Sequence, residues 1–158
     1  MTENYLNILE ESLEKKLQIM AEIQKYSLLQ QEIFQSQEAD LDKFDEYVDR
    51  KDKLLTELVM LDNGFETLYR EVSRELRGNW GKYAEQVRRL QKLVTRVTEG
   101  SVTIQTQEAR NKKLVEDYFR RERAGIAKKR RSSSAAYNYY KNMSGSAVET
   151  SYLYDDKK

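Results

Sequence analysis

The chain has 158 residues, a size that suits one domain, with a net charge of +1 and no cysteine, histidine or proline. These absences exclude the common zinc sites, cysteine nucleophiles and histidine general bases, and leave only carboxylate, lysine, tyrosine or serine chemistry, which needs a rigid pocket. A proline-free chain with six glycines, rich in Glu, Lys, Arg, Gln and Leu, lacks the punctuation of strand-and-turn folds and points to helices.

A first helix is expected over residues 4–36. Its apolar stripe is Leu6, Leu9, Leu13, Leu17, Met20 and Ile23, continued by Leu28, Leu29, Ile33 and Phe34. Glu3, Glu10, Glu11 and Glu14 sit near its start, where the helix dipole favours negative charge. No glycine or proline marks the break that follows, and Asp40 is the best N-cap for the next helix. One uninterrupted helix through Leu76 would exceed roughly 100 Å. An antiparallel hairpin buries more apolar surface and is preferred.

The second helix, expected over 40–77, has an apolar seam of alternating three- and four-residue steps: Leu41, Phe44, Val48, Lys51, Leu55, Leu58, Asp62, Phe65, Tyr69, Val72 and Leu76. Such a seam must be covered by another long helix, because exposed it would aggregate. Lys51 and Asp62 interrupt it; they are expected to set register and oligomeric state, with Lys51 carrying its charge to water along its aliphatic stem. Asp42, Asp45, Glu46 and Asp49 share a face that reads as a solvated flank rather than a metal site. In Gly78-Asn-Trp-Gly81, Gly78 is expected in the left-handed position that ends a helix, and Trp80 is expected to close the bundle end by packing.

A third helix, expected over 82–123, resumes the period with Tyr83, Val87, Leu90, Val94, Val97, Ser101, Ile104, Glu108, Asn111, Val115 and Tyr118. From Val94 to Ile104, seven of eleven residues are Val, Thr or Ile, with Gly100 among them, and all of these lower helix propensity. A strand over Val102–Ile104 has no evident partner. The better reading is a helix of low intrinsic stability whose face is incompletely buried in the monomer. Residues 125–158 form a basic, Ser/Tyr-rich segment expected to be flexible, with a short helix at 135–143 as a candidate for folding into a partner's groove.

Charge is distributed unevenly. Residues 1–78 hold ten basic and eighteen acidic side chains, and residues 79–131 hold fifteen and six. The basic third segment is therefore expected to lie along the acidic first two. The cluster at 110–131, with ten basic and three acidic residues, raises nucleic acid or an anionic membrane as partners. It lacks a zinc finger, basic zipper or RNP motif, so nucleic acid is not the expected partner. No apolar run approaches a membrane span, and Met1-Thr-Glu-Asn does not start a basic signal peptide. A soluble cytoplasmic protein is expected. The fold class is all-α: an antiparallel bundle of three long helices with coiled-coil-like packing over 1–124, then a partly disordered tail.

The stretch from Asp40 to Asp62, DLDKFDEYVDRKDKLLTELVMLD, with the glutamine-rich run before it (Gln24, Gln30, Gln31, Gln35, Gln37), resembles the flagellar export chaperones of the FlgN type over about residues 5–120. The FliT-type chaperone of the filament cap has similar architecture. The resemblance implies a cytoplasmic protein that is not an enzyme and needs no cofactor, metal or small-molecule substrate. It would bind the C-terminal helices of hook-associated (hook–filament junction) proteins, keep them unassembled and deliver them to the cytoplasmic domain of the type III export gate. Cargo binding through the C-terminal portion would fall on the third seam and its flank: Leu90, Val94, Val97, Ile104, Leu114, Val115, Tyr118 and Phe119. Docking on the gate would fall on Tyr137, Tyr139, Tyr140 and Met143. Val94→Asp, Val97→Asp or Val115→Asp is expected to abolish cargo binding while helicity largely survives. The rival readings are the FliT-like chaperone, a homo-oligomeric structural coiled coil (self-association stays open), and a basic-tail binder of nucleic acid or membrane.

Overall fold

The structure is a computed structural model that describes residues 2–36, 38–122 and 139. Three long helices make up the described chain: α1 (Thr2–Ile33), α2 (Leu41–Leu76) and α3 (Ala84–Arg121). A 3-10 turn over Trp80–Tyr83 leads into α3, and no strand occurs among the described residues. The fold is all-α. The short helix expected at 135–143 lies outside the described residues apart from Tyr139.

The α1–α2 break falls at residues 34–40. Asp40 has an extended backbone, and its carboxylate accepts from the Lys43 N–H at 3.1 Å, satisfying one of the first-turn donors of α2. At the far end, Gly78 does not adopt the left-handed conformation expected of it. The chain instead tightens through Asn79 N–H to Leu76 C=O and Lys82 N–H to Asn79 C=O, and so passes into the 3-10 turn.

Contacts between side chains fix the directions. Thr2 meets Glu75, Lys16 meets Asp62, and the Gln30 amide reaches the Phe44 carbonyl, so α1 and α2 run antiparallel. Gln86 meets Asn7, Arg89 meets Glu10 at 3.0 Å, and Asn111 meets Ser27, so α3 runs parallel to α1. This is an up-down-up bundle. The backbone of α1 lies close to both other helices, whereas α2 and α3 do not approach each other as closely. Helix α1 is therefore the spine.

The buried positions of α1 include Leu6, Leu9, Leu13, Lys16, Met20, Ile23, Ser27 and Gln30, an unbroken alternation of three and four. The stripe expected from apolar residues alone drifts off this line: Leu17 and Leu29 are only half buried, and Leu28 is exposed. Polar residues at 16, 27 and 30 hid the true seam.

The third seam corrects a larger expectation. Leu90, Val94, Val97, Ile104 and Val115 are all buried, between 3% and 6% exposed, so this face is not left open in the monomer. The β-branched stretch is helical throughout, including Val102–Ile104. Thr95, Thr98, Thr103 and Thr106 each donate their hydroxyl to the carbonyl four residues earlier at 2.9–3.1 Å, a side-chain bond that a helix interior accommodates. Packing on α1 outweighs weak local propensity.

Two glycines inside helices test that balance. A methyl group at Gly64 would meet nothing within 4 Å, whereas one at Gly100 would come within 2.9 Å of the Met20 methyl. Gly64→Ala should raise stability by about 0.5–1 kcal/mol, the usual glycine penalty in a helix interior. Gly100→Ala should gain less, because Met20 must shift, and Gly100→Val should destabilise by overpacking. Urea midpoints of the three variants check the order; a gain at Gly100 larger than at Gly64 would contradict this packing.

Candidate functional site

Lys51 lies on the seam of α2, fully buried. The expected route of its charge to water is not taken. Its ammonium donates to both carboxylate oxygens of Glu108 on α3, at 2.8 and 2.9 Å, and to the Ser27 hydroxyl on α1 at 3.2 Å. The Ser27 hydroxyl in turn donates to Glu108, and the Tyr139 hydroxyl donates to the same carboxylate oxygen at 3.1 Å. The Lys51 ammonium also sits 4.1 Å from the centre of the Tyr139 ring, a cation–π contact in a desolvated place. One layer of the bundle thus joins all three helices and a residue of the C-terminal segment.

The polar layer extends along the α1–α3 seam. The Asn111 amide donates to the Ser27 carbonyl at 2.8 Å, and Gln107 donates to Asn111 at 3.0 Å and to Gln31 at 2.7 Å. One helical stretch away, Lys16 pairs with Asp62, both buried. Burial raises the Asp62 carboxyl above its ordinary value, and Lys16 opposes that shift. Asp62 and Lys51 thus each pair with a buried, oppositely charged side chain on another helix of the same chain.

Tyr139 corrects a second expectation. It is 1% exposed and lodged between Lys51 and Glu108, so it is not a free docking residue, and any contact with an export gate requires it to leave this cleft. Tyr137, Tyr140 and Met143 lie outside the described residues. Of the remaining residues expected to bind cargo, Leu114, Tyr118 and Phe119 are half buried. Tyr118 stacks obliquely on Phe34 at 5.6 Å and meets Phe119 edge-on, in an aromatic group that also ties Phe34 to Phe44. The eight residues thus pack into the bundle rather than present an open seam, and of them only Leu90 also lines a cleft at the Trp80 end. An aspartate at Val94, Val97 or Val115 would bury an unpaired charge and unfold the protein, so those substitutions do not isolate binding.

The open surface lies elsewhere between α2 and α3. At the end of the bundle opposite Tyr139, a cleft of about 500 Å³ is floored by Leu6 and Leu9 of α1 and walled by Val72 and Leu76 of α2 and Val87 and Leu90 of α3. Arg70, Arg74, Arg77 and Trp80 rim it. Trp80 is 53% exposed and does not close the bundle end as expected. Trp80 and the seam stand out in the sequence; the arginines do not, although their four- and three-residue spacing places them on one edge of α2. Among the acidic residues of early α2, Glu46 pairs with Arg50 across one turn, and Asp42 and Asp49 are exposed.

Burial pushes the Lys51 ammonium down from its ordinary 10.5 to about 8, against the opposing pull of Glu108. The unfolded chain keeps this proton up to its ordinary value, so between pH 8 and 10.5 the unfolded state holds more protons and the layer's contribution to stability rises with pH. Lys51→Met strands the Glu108 carboxylate and should cost about 3–5 kcal/mol, most of it recovered in Lys51→Met/Glu108→Leu. Urea denaturation should show this recovery, and the extra rise in stability above pH 8 should be present in the wild type and missing from the double variant. Equal losses in single and double variants would show that the charges are not coupled.

No helix among the described residues is long and apolar enough to cross a membrane. No protein-family model, curated protein or solved structure matches the chain.

Proposed function

We propose that this protein is a helix-binding export chaperone of the FlgN type, acting in the cytoplasm on hook–filament junction proteins and handing them to the type III export gate. The observation that carries this reading is the seating of Tyr139 between α2 and α3. That face of the bundle receives a side chain from outside the three helices and buries it on Lys51 and Glu108. A partner helix laid on the same face would complete a fourth position of the bundle and hide its own apolar stripe, the physical task of a chaperone for coiled-coil subunits. The cargo surface in this reading is the α2–α3 cleft, which includes only the Val87–Leu90 end of the third seam. The fully paired polar layer supports binding rather than catalysis, since its carboxylate, ammonium and hydroxyls are spent on one another.

The test is titration of the full chain with synthetic C-terminal helices of hook–filament junction proteins, followed by calorimetry and circular dichroism. One-to-one binding at micromolar affinity or tighter, with a gain in helicity, is expected, and filament-cap helices should bind at least tenfold more weakly. Preference for the cap helix would move the reading to the FliT type. Absence of binding to either, together with an elongated dimer by light scattering, would replace it with a structural coiled coil.

A further inference from the structure

We propose that the Trp80 end of the α2–α3 cleft selects its partner by charge: it takes an amphipathic helix whose apolar stripe is flanked by Asp or Glu. This deepens the chaperone reading and rests on it for the identity of the natural partner, but not for the chemistry of the groove.

The floor is apolar and built from all three helices, with Leu6, Leu9, Val72, Leu76, Val87 and Leu90 facing a cleft of about 500 Å³. Each of these side chains belongs to a seam, so the floor is held rigid by the bundle. A volume of this size receives a few large side chains of a docked helix. The rim on the α2 side is basic. Arg70, Arg74 and Arg77 follow one another at steps of four and three, and so lie along a single edge of the helix. Arg70 is held by Glu66 at 2.5 Å, while neither Arg74 nor Arg77 makes an ion pair among the described residues. At the mouth stands Trp80, more than half exposed. Arginine and tryptophan beside a desolvated apolar pocket are the residue types that carry most binding energy in protein interfaces.

A simpler account exists for the arginines. Cations near a helix C-terminus interact favourably with its dipole, for about 0.3–1 kcal/mol. That account explains neither the cleft of about 500 Å³ beside them nor a large indole left in water at its mouth. An acidic helix satisfies all three features: its apolar residues enter the cleft, its carboxylates meet the guanidiniums in bidentate bonds, and its body shields Trp80.

Trp80 is the single tryptophan of the chain, so its emission reports this site alone. The experiment titrates full-length protein with two synthetic amphipathic helices sharing one Leu/Ile stripe, flanked in one by Glu and in the other by Lys. The Glu peptide should shift Trp80 emission to the blue and bind about tenfold or more tightly than the Lys peptide, a preference that weakens with salt. Arg74→Glu/Arg77→Glu, both at exposed positions, should keep the helical content, lower the urea midpoint only by the lost dipole interaction of about 0.3–1 kcal/mol per site, and reverse the preference. Equal affinity for the two peptides, or an unchanged preference in the double variant, would overturn the proposal. Junction-protein helices are run beside them. If they bind and the double variant does not weaken them, the charge-selection proposal fails while the chaperone reading stands. If the Glu peptide behaves as described but junction helices do not bind, the groove's selectivity stands and the chaperone reading fails.

Discussion

The buried Lys51–Glu108 pair is the constraint on which the arrangement of this bundle depends. Seams made only of leucine, valine and isoleucine are forgiving: sliding one helix by a heptad still covers apolar surface with apolar surface. A buried ammonium is not forgiving. Moved one heptad along, Lys51 would face a hydrocarbon wall, and the cost of an uncompensated buried charge is several kcal/mol. Here its ammonium meets both oxygens of Glu108 and the hydroxyl of Ser27, so the three helices are locked in one relative register at one layer. Lys16 and Asp62 repeat the device between α1 and α2. Such pairs add little net stability over an apolar core, but breaking one leaves a costly unpaired charge, which disfavours other alignments.

That alignment leaves an asymmetric bundle. Helix α1 is covered on two sides, and α2 and α3 stand further apart. The gap between them is treated differently at its two ends. Near Lys51 it is closed by Tyr139, whose hydroxyl supplies Glu108 with one more donor and whose ring covers the ammonium. Near Trp80 it is open over a hydrophobic floor with a guanidinium edge. One architecture thus contains a polar end closed by Tyr139 and an apolar-lined end that keeps a cleft with a basic rim.

Helical class, the helix number and the position of the α2 cap follow from local signals: three runs of seven-residue periodicity, no proline, and Asp40 in a stretch of poor alternatives. These are short-range properties, and each residue carries its own share of them. Polar interruptions at 51, 62, 108 and 111 were also visible, as breaks in otherwise apolar seams. Their partners on α1 were not, because Lys16 and Ser27 look like surface residues until the three-four alternation is followed through them without regard to polarity.

The sequence by itself determined that this chain forms long helices and where they turn, because propensity, capping and periodicity act over a few residues. Only the tertiary structure decided which polar seam residues meet, that the weak third helix is buried rather than open, and that Tyr139 is held inside the bundle. It also assembled the arginine-rimmed cleft from three separate helices. The physical reason is distance: Ser27 and Glu108 lie 81 positions apart in the chain, and the energy of a buried charge or the shape of a cleft depends on which neighbours arrive, not on the residues beside it in sequence.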